Sequence, residues 1–307
     1  MATASGGSTT TVGSRDIKHL FESRKFVDVS SKVLLYIVLT LALVALLMPA
    51  YWMVITSFKK LGTEFRVPVE WWPKEWVLSN YEMLPKYFPF FLYLRNTLLI
   101  VANNVLGVLL TSSLVAYSFS RLRWKGRDLV FGLCLATMML PGVVTMIPTF
   151  VIFKRLGWFN TFLPLTVGSW FGGGGFNIFM LRQFMLSLPI ELDEAARMDG
   201  ATGLTIWWRI ILPLSKPVLG TVGIFTFLGA WNDFMGPLLY LKNDKLYTLA
   251  LGLNMMYNTY TGYGNAVPMI GPVMAAAVIM TSPVILMFFV GQKYFVQGIV
   301  TSGLAAR

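Results

Sequence analysis

Six long apolar runs dominate the chain and constrain it more than any other feature: about Val33 to Phe58, Leu98 to Ser118, Leu129 to Phe153, Leu163 to Phe184, Pro217 to Leu241 and Pro268 to Val290. At 1.5 Å per residue each can cross roughly 30 Å of hydrocarbon. Lipid offers no hydrogen-bond partners, so the runs must be helices. Composition agrees, with 56% of 307 residues hydrophobic, 13% charged and a mean hydropathy of +0.65. A soluble domain carries about twice that charge. The reading is an all-α polytopic membrane protein with about six transmembrane helices. Disordered, collagenous and nucleic-acid-binding chains are excluded. So is a disulfide scaffold, because Cys134 is the only cysteine.

Basic residues orient the spans. The loop RLRWKGRD carries Arg121, Arg123, Lys125 and Arg127, and the end of the fourth run with the loop after it carries Arg182, Arg197, Arg209 and Lys216. The head adds Arg15, Lys18, Arg24, Lys25 and Lys32, whereas the short opposite loops hold Lys154 and Arg155, then Lys242 and Lys245. The positive-inside rule therefore predicts both termini in the cytoplasm, and it accounts for the net charge of +11 without nucleic acid. The long segment Lys59 to Arg95 is also basic, but long segments weigh less, and it contains Glu64, Glu70, Glu75 and Glu82.

Three parts follow: a cytoplasmic head (1–32), a permease-like domain (33–290) and a cytoplasmic tail (291–307). The first 14 residues are small and polar, are expected to be disordered, and contain no apolar core of a cleavable signal. Ser14 can cap a basic amphipathic helix with Ile17, Leu20, Phe21 and Val27 on one face. That helix can lie on the membrane surface or simply be solvated. The external segment holds Trp71, Trp72, Trp76, Tyr81, Tyr87 and Phe88, which suits an aromatic belt at headgroup level and could also receive a partner.

Catalytic chemistry finds no support. The single histidine, His19, and Cys134 cannot build a metal site or a nucleophile pair. No phosphate loop of the G-x-x-x-x-G-K-[ST] kind occurs, and the run Gly172 to Gly175 lacks the Lys that would make it one. That run means a bent helix or close packing, for which Gly168 and Gly172 also have the right spacing, or else a broken helix opening onto a path. Pro141 marks a kink in the third run. Asp233 is the one intramembrane charge, and such a group faces the bundle interior or water. With Trp231 and Asn232 it offers a stacking surface, an amide and a carboxylate, which suits a hydroxyl-rich ligand. A structural hydrogen bond between helices is the alternative.

Between the fourth and fifth runs, residues of about 185–216 are punctuated like two short helices. Pro189 opens the first, Ile190 to Met198 continue it, and Gly200 closes it in the left-handed conformation. Glu191, Asp193 and Glu194 favour its dipole. Thr202 caps a second helix, Gly203 to Leu212, which Pro213 stops. Ala195 and Ala196 leave one surface small enough to enter another protein's cleft.

The spacing Glu194-Ala195-Ala196, three residues, Gly200, nine residues, Ile210, one residue, Leu212-Pro213 resembles the EAA loop of bacterial ABC importer permeases, with Asp199 beside the glycine. ELDEAARMDGAT, the fifth-run WNDF-x-x-PL and the tail QKYFVQGIVTSGL resemble the carbohydrate branch, specifically the smaller partner of maltose-type permeases. The resemblance covers about Val33 to the C-terminus. It implies the type I importer permease fold in the bacterial cell membrane, and a transport subunit rather than an enzyme. It also implies a second permease as heterodimer partner, two ATPase subunits that bind ATP and Mg, and an extracytoplasmic sugar-binding protein. The chain itself would hold no cofactor. Glu194, Ala195, Ala196, Asp199, Gly200, Ile210, Leu212 and Pro213 would couple to the ATPase. A self-sufficient secondary transporter of a polar solute is the alternative, weakened because Asp233 has no intramembrane basic partner for ion coupling.

Overall fold

The computed structural model describes residues 14–64, 67–261 and 269–304, with side chains left out for 14–28, 30 and 293–304. The polar head lies outside the described residues, as do the side chains of the amphipathic segment and of most of the tail. Every regular element among the described residues is helical. By compactness the chain divides into Met1–Val54 and Ile55–Arg307.

In the first unit, residues 14–54 belong to one helix, Ser14–Ser57, which runs through the expected 32/33 boundary without a break. From Val33 to Tyr51 its apolar side chains are exposed, Leu34 by 63% and Leu46 by 78%. Exposed leucine is costly in water, but against lipid tails it loses nothing.

The second unit is built around Phe90–Arg121, which packs against Gly175–Leu186 and Lys216–Trp231. One cluster near the start of this helix joins Tyr93 and Val101 to Trp231, Leu249, Val273 and Ala276. A second, toward its end, joins Val108, Ala116 and Tyr117 to Leu181, Met185, Ile206 and Val222. Gly107, Ser112, Ser113 and Ala116 keep this helix thin, so neighbouring backbones come close.

The spans differ from six straight crossings. Ser31–Ser57, Phe90–Arg121 and Ile270–Gln292 are long and apolar enough to cross alone. Arg127–Thr137 and Gly142–Arg155 meet at 99° across Pro141, a sharp turn rather than the expected kink. Gly203–Leu214 and Lys216–Trp231 meet at 80°. Counting each bent pair as one span gives five. The shortfall from six is the fourth run, which the glycines divide into Leu163–Thr166, a 3-10 turn Val167–Trp170 and the helix Gly175–Leu186.

Two features were not anticipated. The stretch between the fifth and sixth runs, read as loop, contains the helix Leu249–Thr261, packed on Phe90–Arg121 and Ile270–Leu304. The Trp-rich segment between the first and second runs is tied down at both ends. Asn80 Nδ2 donates to the Ser57 and Lys59 carbonyls at 2.8 Å each, and Glu64 Oε1 accepts from Gly271 N–H at 3.3 Å. Trp71, Trp72 and Trp76 stay exposed.

Candidate translocation cavity and coupling loop

The fourth run breaks because three successive residues, Gly172, Gly173 and Gly174, take φ of +85°, +59° and +99°. Only glycine does this without steric cost. A break inside the membrane orphans backbone groups. Here the central helix supplies their partners. Thr111 Oγ1 accepts from Gly172 N–H at 3.1 Å, and Ser112 Oγ donates to the Gly172 carbonyl at 2.7 Å. Gly173 is packed so closely that a Cβ would lie 2.6 Å from Val108 Cγ2. Close packing and a broken helix, posed as alternatives in the sequence, are both present.

The break opens on a cavity of about 620 Å³ whose lining includes Asn104, Ser169, Gly173, Asn177, Thr226 and Asp233. Asn104 Nδ2 donates to the Leu165 carbonyl at 3.0 Å and Asn177 Nδ2 to the Gly173 carbonyl at 2.7 Å. An amide has two N–H groups and two lone pairs. These bonds therefore fix the two side chains while leaving hydrogen-bonding capacity toward the cavity. Asp233 Oδ1 accepts from Gly236 N–H at 3.0 Å, a local bond that holds the chain where the fifth run ends its helix.

The expected trio is split. Trp231 is 2% exposed, stacked on Phe227 at 5.5 Å, with Nε1 donating to the Met280 carbonyl at 3.0 Å. Its ring belongs to the core and offers no surface to a ligand. Asn232 is exposed, bonds back to the Leu228 carbonyl at 2.9 Å, and does not line the cavity. Asp233 does. Asn104, Ser169, Asn177 and Thr226 were not singled out from the sequence, although polar residues within apolar runs were a usable signal.

The loop between the fourth and fifth runs follows its punctuation closely. The first helix is Glu191–Met198, and Gly200 follows at φ +79°. Ala201 N–H donates to the Ala196 carbonyl at 2.9 Å and Gly200 N–H to Arg197 at 3.0 Å, the pair of bonds that defines a Schellman closure. Thr202 Oγ1 accepts from Thr205 N–H at 3.3 Å and caps the second helix. Pro213 does not stop that helix, which continues to Leu214. A π-helical turn, Trp207–Ile211, precedes the proline, and the bend follows it.

Glu194, Ala195, Asp199 and Gly200 are exposed. Ala196 is not, being 8% exposed and packed in its own chain's core cluster. On an eight-residue helix, positions 193 and 196 share the inner face and 194, 195 and 198 the outer one. Met198, Leu204 and Trp208 complete the outer surface, at 88%, 65% and 55% exposure. Ile210 is half-buried against the same cluster, Leu212 is half-buried and Pro213 is exposed. Arg121, counted among the loop cations that orient the spans, is buried, with its guanidinium beside Asp193.

Comparison with known proteins agrees with this architecture. The profile described as the inner membrane component of binding-protein-dependent transport systems matches residues 103–301. The trehalose/maltose transport system permease protein MalG of Thermococcus litoralis is 32% identical over 281 residues, covering 90% of this chain and 98% of that one. The sn-glycerol-3-phosphate transport system permease protein UgpE of Pectobacterium atrosepticum is 29% identical, covering 92% and 99%. Among solved structures, a chain of a bacterial ABC transporter involved in the import of the acidic polysaccharide alginate matches with a TM-score of 0.78 at 25% identity, covering 94% of this chain and all of that one. The chain belongs to the family of inner membrane components of binding-protein-dependent transport systems, the permease subunits of ABC transporters.

Proposed function

We propose that the chain imports a sugar or oligosaccharide as the smaller of two permeases in a heterodimer. In this reading six spans put both termini in the cytoplasm, with the broken fourth run counted as one crossing. Two ATPase subunits bind ATP and Mg and dock on the outer face of 191–198 through Glu194, Ala195 and Met198. An extracytoplasmic binding protein delivers the solute. Closure of the ATPases pushes the loop, and the spans rock between inward-facing and outward-facing states.

The observation that carries the proposal is the cavity at the glycine break, where polar side chains share the lining with apolar ones. Transporters place solute sites where helices are interrupted, because irregular backbone is tolerated there only if it is buried in protein or lines a water-filled space. Amides, hydroxyls and one carboxylate provide donors and acceptors suited to a hydroxyl-rich solute. The relatives' names point the same way, with trehalose/maltose for one and arabinooligosaccharides for another.

The test is purification of the tagged chain from its host membrane, followed by uptake into proteoliposomes of radiolabelled maltose, trehalose and glycerol 3-phosphate. The reading predicts that an ATPase and a second permease co-purify. It also predicts that uptake of a neutral sugar needs the binding protein and is abolished by vanadate. Asp233→Leu should lower that uptake while the complex still assembles. Uptake without ATP would contradict the reading.

A further inference from the structure

Arg121 is the last residue of Phe90–Arg121, and its side chain is 3% exposed. Nη1 lies 3.3 Å from Asp193 Oδ2, whose side chain is 2% exposed. Nη2 donates to the Met185 carbonyl at 2.6 Å and to the Leu188 carbonyl at 2.8 Å. Those carbonyls belong to the end of Gly175–Leu186 and the turn after it, where a helix leaves carbonyls without intrahelical partners. One guanidinium therefore holds three segments: the second-span helix, the fourth-run helix and the inner face of 191–198. Its neighbours Arg123 and Lys125 are exposed, as loop cations ordinarily are.

Stability alone is a poor reason for such a site. Replacing a buried ion pair with apolar groups of similar volume is often neutral or stabilising. A guanidinium supplies geometry instead, since its planar fork fixes several bond directions at once. The two faces of the 191–198 helix then have different tasks. Glu194, Ala195 and Met198 face outward, while Asp193 and Ala196 attach the helix to the bundle. From Arg121 the connection continues along Gly175–Leu186 to Asn177 and Gly173 at the cavity.

We propose that Arg121 is a positioning residue that makes the 191–198 helix, the end of Phe90–Arg121 and Gly175–Leu186 move as one body, carrying displacement of the coupling loop to the cavity. The proposal rests on the reading that 191–198 docks the ATPase.

The test uses the whole complex, with Cys134→Ser removing the native thiol and nitroxide labels at Met198→Cys and Lys125→Cys. Distances are measured without nucleotide and with ATP and vanadate. With Arg121 and Asp193 intact, one narrow distance should persist in both states. R121M/D193L removes both charges together. It should assemble, yet show a shifted or broadened distance with ATP and vanadate. Stimulation of its ATP hydrolysis by the binding protein should fall about fivefold or more, at the lower end of typical coupling between sites. If that variant fails to assemble, R121K decides, because it keeps the charge but cannot reach the carboxylate and both carbonyls together. Reduced stimulation in R121K supports the proposal. Unchanged distances and full stimulation in R121M/D193L, or full stimulation in R121K where only that variant assembles, overturn it. A Met198 label whose mobility is the same with and without ATPase subunits would instead sink the docking reading, which separates the two failures.

Discussion

The loop of residues 185–216 and the broken fourth run are both irregular, yet they are held together in different ways. The loop's backbone groups are satisfied within a few residues, by Ala196 and Arg197 for the Schellman closure and by Thr202 for the cap. At the break both Gly172 groups are satisfied by Thr111 and Ser112, about sixty residues earlier in the chain, and only the Gly173 carbonyl by a nearby side chain, Asn177. In water a missed backbone partner can be replaced by solvent, so local turn chemistry suffices. Within the bilayer only protein groups or a water-lined path can replace it, and here the Gly172 groups use hydroxyls on a neighbouring helix.

This contrast orders the expected effects of substitution. The largest should come from Gly173→Val. It demands a β-branched residue at φ +59° with its Cβ 2.6 Å from Val108 Cγ2. Strain and overpacking together should cost about 3 kcal/mol or more, read as loss of assembled complex and a lower unfolding temperature. Full assembly would mean that the break is not tightly packed.

Removing the partners rather than the glycine sharpens the comparison. Ser112→Ala leaves the Gly172 carbonyl without its hydroxyl donor, and Thr111→Val leaves the Gly172 N–H without its acceptor. Each should cost about 1 to 3 kcal/mol in thermal unfolding of the purified complex. Thr202→Ala in the loop makes the equivalent deletion where water can substitute, and should cost only about 1 kcal/mol. Equal losses at the two sites would erase the distinction.

Gly200→Val tests the loop by conformation alone, because nothing lies within 4 Å of a Cβ there. The left-handed penalty of about 1 to 2 kcal/mol should leave insertion intact and misdirect the chain toward the fifth run. Binding-protein-stimulated ATP hydrolysis and uptake should fall together. The adjacent alanines separate the two faces. Ala196→Leu should lower the unfolding temperature, since that side chain is buried in its own chain. Ala195→Leu should leave unfolding unchanged and weaken ATPase co-purification.

The same contrast explains what was legible in the sequence. Gly200 and Thr202 could be assigned because their roles depend on bonds spanning three to five positions. The glycine run could be seen but not resolved, since the partners of Gly172 lie in another span and hydroxyls in an apolar run carry no label saying which backbone they serve. Trp231 was misplaced for a related reason. An amphipathic ring beside Asn and Asp reads as a ligand platform until its N–H is found on the Met280 carbonyl. Arg121 sat among four basic residues of one loop, and only the fold separates the buried one from the solvated ones. The helix Leu249–Thr261 was overlooked because, at 13 residues, it is too short to register as a span.

The central claim is that the break in the fourth run opens a solute path that switches sides. The most direct measurement is labelling of Asn177→Cys and Asp233→Cys by a membrane-impermeant thiosulfonate, in a Cys134→Ser background within the whole complex. Ile178→Cys serves as a control, because that residue is 6% exposed. Reagent is applied from one side at a time, without nucleotide and then with ATP and vanadate. The account predicts labelling of 177 and 233 from the cytoplasmic side without nucleotide and from the opposite side with ATP and vanadate, with little labelling of 178 in either state. Labelling from the same side in both states, or none in either, would contradict it.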